Sequence, residues 1–90
     1  MKELYVGHCL ICKQGMLEIV KEIKTGICFI CCDECEAEWD NPENALENVY
    51  GSRMKYGLVT GVTFDEVKSL KWDEYVVNET VSIPQQSWGD

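Results

Sequence analysis

Cysteine is absent after residue 35, histidine occurs once, and bases never cluster. Each shortage narrows the chemistry. A lone His8, with no Cys/His or Ser/His/Asp grouping around it, leaves nothing from which to assemble a nucleophile and its base. Catalytic zinc needs an open coordination position and usually histidine or carboxylate ligands. There is no glycine-rich phosphate loop. An enzyme is therefore not expected. No apolar stretch approaches bilayer-spanning length, and Met1 to His8 lacks the apolar core of a signal peptide. The expected location is a reducing cytoplasm, where paired cysteines bind metal more often than they form disulfides. Repeats, low-complexity tracts and Pro/Gly/Ser-rich linkers are also missing. Residues 1–90 are thus expected to form one domain, comprising a zinc-binding β-hairpin half (1–40), a helical half (41–83) and a tail (84–90).

Positive charge is scarce too. Eight bases oppose 16 acids for a formal net charge of −8, and Lys2, Lys13, Lys21, Lys24, Arg53, Lys55, Lys68 and Lys71 form no run. A zinc ion held by four thiolates would carry the total to about −10. Such a chain repels a phosphate backbone, which demotes nucleic acid and favours a basic protein as partner. The acids do cluster: Asp33, Glu34, Glu36, Glu38, Asp40, Glu43 and Glu47 fall within 15 residues that hold no base, and Trp39 lies among them. One reading is a solvated face with Trp39 turned into the core. The other is a partner surface of Glu36, Glu38, Trp39, Asp40 and Glu43, in which carboxylates speed association and the indole anchors it.

What the chain does have is six cysteines in its first 35 residues. Cys9-Leu10-Ile11-Cys12 and Cys32-Asp33-Glu34-Cys35 are two Cys-x-x-Cys turns separated by 19 residues. That is the spacing of a four-thiolate zinc site, since a two-residue gap lets both sulfurs of a turn face one centre. In a chain of 90 residues, such a metal offsets part of the entropy of ordering that a small core cannot. Cys28-Phe29-Ile30-Cys31 has the same internal spacing and lies 15 residues beyond Cys12, so it competes for the second pair. Asp33 and Glu34 suit an exposed turn, whereas Phe29 and Ile30 suit a strand, where side chains three apart face opposite ways. Cys32 and Cys35 are therefore preferred, with Cys28 and Cys31 as small buried hydrophobes. Cys31 is the nearest substitute, and His8 beside Cys9 is a further, weaker donor. A reactive dithiol usually opens a helix in a strand-helix-strand context. Residues 1–12 offer none, and the acids around Cys32 and Cys35 should raise thiol pKa values.

The remaining chain reads as short elements. Residues 2–8 fit an edge strand, and Gly15 fits a chain leaving the first cysteine turn with unusual backbone angles. Residues 16–23 alternate with period two, Lys24-Thr25-Gly26 is a turn, and residues 27–32 form the return strand of a hairpin. Glu36 to Trp39 favours a short helical turn. Asn41 can cap a helix beginning at Pro42 and running to Val49, with Gly51-Ser52 as its stop. Residues 56–62 are extended. Thr63-Phe64-Asp65-Glu66 is a capping box, followed by Phe64, Val67, Leu70 and Trp72 on one helical face. A last extended piece reaches Ile83, and Trp88 hints that part of the tail docks.

The two cysteine turns with Gly15, the hairpin between them, and helix-forming residues after Cys35 resemble the zinc-ribbon and treble-clef group of small structural zinc domains. The resemblance covers residues 9–40 and implies a fold, not an activity. It departs from the common pattern at Lys13, where many such turns place glycine. Helix-forming residues after the second pair lean toward treble clef, because zinc ribbons put that pair in another β-turn. The whole chain also looks like small, acidic bacterial proteins, some of which are immunity partners of toxins. The expectation is an α+β fold, a zinc-ribbon or treble-clef-like hairpin followed by two or three short helices. It would hold one structural Zn2+ and act as a non-catalytic protein-interaction module of the toxin-neutralising (immunity-like) or regulatory kind. A nucleic-acid-associated zinc ribbon and a thiol redox protein are the alternatives. No feature of the chain bears on its oligomeric state.

Overall fold

The computed structural model describes residues 3–78. An antiparallel sheet is built from β1 (Tyr5–His8), β2 (Met16–Glu22), β3 (Cys28–Cys32) and β4 (Glu38–Trp39), in that spatial order. A short β5 (Val59–Thr60) pairs with the far end of β2, opposite Lys21 and Glu22. Two six-residue helices, α1 (Pro42–Glu47) and α2 (Phe64–Ser69), and one 3-10 turn (Asp73–Tyr75) complete the described chain. The alternating pattern of residues 16–22 and the β-branched and aromatic residues of 28–32 form the central hairpin, in the register Leu17↔Cys32, Ile19↔Ile30, Lys21↔Cys28. Its turn closes through Gly26, whose φ of +79° suits glycine.

Alternation along β2 and β3 gives the sheet two unlike faces. Leu17, Ile19, Ile30, Cys32 and Trp39 point to one side, where Leu4, Val6, Ala45, Val62, Val67 and Val76 join them in a continuous buried cluster. Burying each large apolar side chain stabilises by roughly 1.5–3 kcal/mol. On the other side lie Glu18 and Val20 of β2 and their cross-strand partners Cys31 and Phe29. Among the described residues, only the segment 53–58 crosses this face, laying Tyr56 on Phe29 with ring centroids 3.8 Å apart and 11° between planes.

Local signals explain the helices. Asn41 takes an extended conformation and its Oδ1 accepts from the Asn44 N–H at 2.8 Å, with Pro42 at the first helical position. Asn48, in the left-handed region at φ 55°, stops α1 just after Glu47, sooner than the expected Val49 and ahead of Gly51-Ser52. At α2 both halves of the Thr63/Glu66 capping box are made. Val67 is fully buried and Phe64 and Trp72 pack against the core, while Leu70 remains 40% exposed.

Two expectations need correction, and one is narrowed. Glu36 to Trp39 is not helical: Glu36 turns left-handed at φ 63°, the Cys32 N–H reaches the Ala37 carbonyl, and Glu38 and Trp39 pair with Cys31 and Ile30 as β4. Burial of Trp39 against the sheet outweighs the local helix preference of this stretch, and the second cysteine turn sits between strands, as in a zinc ribbon. Of residues 56–62, only Val59 and Thr60 are strand. Gly15 is not required for unusual angles, because Lys13, at φ 62°, takes the left-handed position. The expected last strand to Ile83 runs mostly, and the 84–90 tail with Trp88 wholly, outside the described residues.

Candidate metal centre

The hairpin's open end brings the two cysteine turns together, and they are built alike. In each, the N–H four residues after the first cysteine donates to that cysteine's carbonyl: Lys13 to Cys9 and Glu36 to Cys32, both at 3.2 Å. The residue following each second cysteine, Lys13 or Glu36, is left-handed. The first cysteine's own N–H then closes the loop onto the departing chain, Cys9 to the Gly15 carbonyl and Cys32 to that of Ala37, each at 2.9 Å. This winding turns backbone N–H groups toward the sulfurs. Ile11 N–H reaches Cys9 Sγ at 3.4 Å and Gly15 N–H reaches Cys12 Sγ at 3.3 Å. The N–H groups of Glu34 and Cys35 both reach Cys32 Sγ at 3.4 Å. Four such donors favour thiolates over thiols.

The four sulfurs of Cys9, Cys12, Cys32 and Cys35 all lie within 4.8 Å of one another. Across the two turns, Cys9 and Cys35 are 3.8 Å apart and Cys12 and Cys32 are 3.6 Å apart. Zinc–sulfur bonds of about 2.3 Å at tetrahedral angles require sulfur separations of about 3.8 Å. The two cross-turn separations match that value, and the whole donor set lies close enough to share one divalent ion. Gly15 is needed here for space: a Cβ at that position would lie 2.5 Å from Cys32 Sγ. Cys9 and Cys32 are buried and Cys12 and Cys35 half-buried, so the site is sealed on its core side.

The thiols are not electrostatically equal. The Gln14 and Gly15 N–H groups draw Cys12 below the ordinary thiol range. For Cys35 burial opposes the thiolate, but the Ala37 N–H, the neighbouring thiols and Arg53 outweigh it and the pKa falls. Burial pushes Cys32 up, and a bound cation reverses that by binding the deprotonated sulfur. The expectation that nearby acids would raise the Cys32 and Cys35 thiols is thus wrong for Cys35, where hydrogen-bond donors outweigh burial, and at Cys32 the rise comes from burial and not from the acids. Arg53, whose Nε donates to the Cys35 carbonyl at 3.2 Å, was not foreseen at all.

The other candidates fall elsewhere. His8 is exposed at the end of β1 and outside the four-sulfur group. Cys28 packs, half-buried, against the core. Cys31 lies half-buried on the opposite face, between Glu18 and Glu38 in the strand register, where burial and then Glu38 and Glu18 push its thiol up to about 11. It is not a core residue. Of the predicted partner surface, Glu36, Asp40 and Glu43 are exposed. Trp39 is 1% exposed and offers a partner no ring surface, which removes it as an anchor. Gly51 runs so close over it that a Cβ there would be 2.9 Å from the indole Nε1. Glu38 is 7% exposed, its Oε1 accepting from Ser52 Oγ and the Lys55 N–H, and it too leaves the surface. No helix among the described residues is long and apolar enough to cross a membrane. Compared with protein families, with curated proteins and with solved structures, the chain matches none.

Proposed function

We propose that this protein is a structural-zinc module that binds another protein and carries out no catalysis. The observation that carries the zinc assignment is the convergence of four cysteine sulfurs, all within 4.8 Å of one another, from two matched turns. Four thiolates fill the coordination sphere of zinc, which leaves no position at which a water could be activated. The ion joins β1 and β2 to β3 and β4 at the open end of the hairpin, so its binding free energy is folding free energy. The surplus of acids, with Glu36, Asp40 and Glu43 exposed, supports a basic protein as the partner, in a toxin-neutralising or regulatory role.

Metal analysis of protein purified under reducing conditions should give one zinc per chain, and chelation should lower the melting temperature sharply. A reduced, metal-stripped chain that melts as before overturns the structural role. The binding role predicts a complex with a cationic protein that weakens as salt rises and weakens further in Glu36→Lys. Rapid alkylation of one thiol in the zinc-loaded protein would instead favour a redox protein.

A further inference from the structure

The sheet face turned away from the core holds a cleft of about 720 Å³. Its floor is β2 and β3, where Glu18 pairs with Cys31 and Cys31 with Glu38 across three strands. One wall is the second cysteine turn, with Asp33, Cys35 and Glu36, and the other is the segment carrying Met54, Tyr56 and Leu58. These walls differ in kind. The cysteine-turn side is acidic, and the opposite side presents large apolar groups to solvent, Met54 at 93% and Leu58 at 83% exposure.

Charge decides what fits. The lining contains four carboxylates, Glu18, Asp33, Glu36 and Glu38, against one base, Arg53. The chain as a whole has two acids per base, 16 to 8, so the cleft concentrates negative charge beyond the molecular average. Burial first, and then the like charges of Glu3 and Asp33, raise the Glu18 carboxyl, so a cation placed beside it would be favoured. A second copy of this chain brings more negative charge, and a phosphate backbone is repelled.

We infer that this cleft is where the partner docks, and that it takes a cationic peptide segment with aliphatic side chains interleaved among its lysines or arginines. The basic groups face Glu18, Asp33 and Glu36, while an aliphatic side chain covers Leu58 and the Tyr56–Phe29 stack. This rests on the binding-module reading above and gives that reading a location, on the strand face and not on the outer surface of α1. Because the second cysteine turn forms one wall, the cleft also depends on the metal centre for its shape.

The test is an NMR titration of the zinc-loaded full chain with three ten-residue peptides: alternating Lys-Leu, Lys alone, and alternating Glu-Leu. The Lys-Leu peptide should shift amides at Glu18, Cys31, Tyr56 and Leu58, bind more tightly than oligolysine, and lose affinity as salt rises. The Glu-Leu peptide should not bind. Leu58→Asp, at a side chain so exposed that folding does not depend on it, should weaken the Lys-Leu complex by about tenfold, and Glu36→Lys should weaken it further. If both cationic peptides bind alike and Leu58→Asp changes nothing, or if the shifts centre on Glu43 and Glu47 of α1, the cleft is wrong and the acidic-module reading survives. If neither cationic peptide shifts any amide, both fall together.

Discussion

The two faces of the central hairpin come from the same twelve strand residues, yet they have opposite chemistry. One is dry: Leu17, Ile19 and Ile30 lie at or below 1% exposure, with Trp39 of β4 beside them, in the cluster that Ala45, Val62 and Val67 complete. The other holds the pairs Val20–Phe29 and Glu18–Cys31, and among the described residues only the 53–58 segment covers it. The contrast is sharpest between adjacent residues. Cys32 faces the four-sulfur cluster, and Cys31, one step away, lies between two carboxylates, where burial and then their charge hold it as a thiol. Strand pleating sorts neighbouring cysteines into one inside the four-sulfur group and one outside it. Sequence spacing alone treats them almost equally.

Substitution at that adjacent pair should break the comparison most forcefully. Cys32→Ser should lose zinc and the folded sheet together, because apparent zinc-binding free energies of about 10–16 kcal/mol rival the whole stability of a small domain. Cys31→Ser and Cys28→Ser should keep one zinc per chain and melt within a few degrees of the parent. Metal content and circular dichroism melts on the three variants decide it. Zinc retained by Cys32→Ser but lost from Cys31→Ser would exchange the two faces.

Much of this was legible in the chain because its signals are local. Cysteine spacing, the period-two run of 16–22, Asn41-Pro42 and the Thr63 box each depend on residues within a few positions of one another, and each is found where expected. The failures share a different cause. Residues 36–39 have helical leanings, but they sit directly after a cysteine turn whose closure, Cys32 N–H to the Ala37 carbonyl, sends the chain back along β3. Trp39 among acids left core and surface anchor both open, because the neighbouring carboxylates hid the alternation that buries it. Tyr56 over Phe29, and Arg53 on the Cys35 carbonyl, join residues 27 and 18 positions apart, and no short-range pattern announces them. A visible clue to the second face did exist, since β2 sets Glu18 and Glu22 out of phase with Leu17 and Ile19.

Truncating one aromatic on each face should yield the next largest difference. Trp39→Ala opens a cavity in the dry cluster and should cost about 3–5 kcal/mol in urea unfolding. Tyr56→Ala removes a stacked ring from the open side and should cost about 0.5–1.5 kcal/mol beyond its lost area. Equal losses would mean that the second face is as much a core as the first.

Acid should separate the faces more gently. Asp40 is held below its ordinary range by the Tyr56 hydroxyl, at 2.6 Å, and then by Lys55; Glu22 is lowered by Thr25 and then the Gly57 N–H. Both bonds tie the 53–58 segment to the rest of the chain. A carboxyl whose folded pKa is depressed adds stability above its unfolded value, and that stability is lost as pH falls through the folded one. The window therefore lies below the ordinary values of 3.8 for Asp40 and 4.5 for Glu22. Asp40→Asn should melt lower than the parent at pH 7, and the gap should close toward pH 3. A gap independent of pH would show that the charge contributes nothing.

Glu18 should produce the smallest effect, of the opposite sign. Its carboxyl is raised, first by burial and then by Glu3 and Asp33. A raised carboxyl binds its proton more tightly folded than unfolded, so its ionisation subtracts stability in full above the folded pKa, and the loss fades to nothing as pH falls from there below the ordinary value of 4.5. Glu18→Gln should then melt slightly higher than the parent at pH 7, by on the order of a degree, and the two should converge in acid. The same variant should bind a Lys-Leu peptide less well, because the charge that costs the free protein stability is the one a cationic segment neutralises. A Glu18→Gln protein that melts lower at pH 7 would mean that the carboxylate is structural, as Glu38 is, and would move the open face closer in character to the dry one.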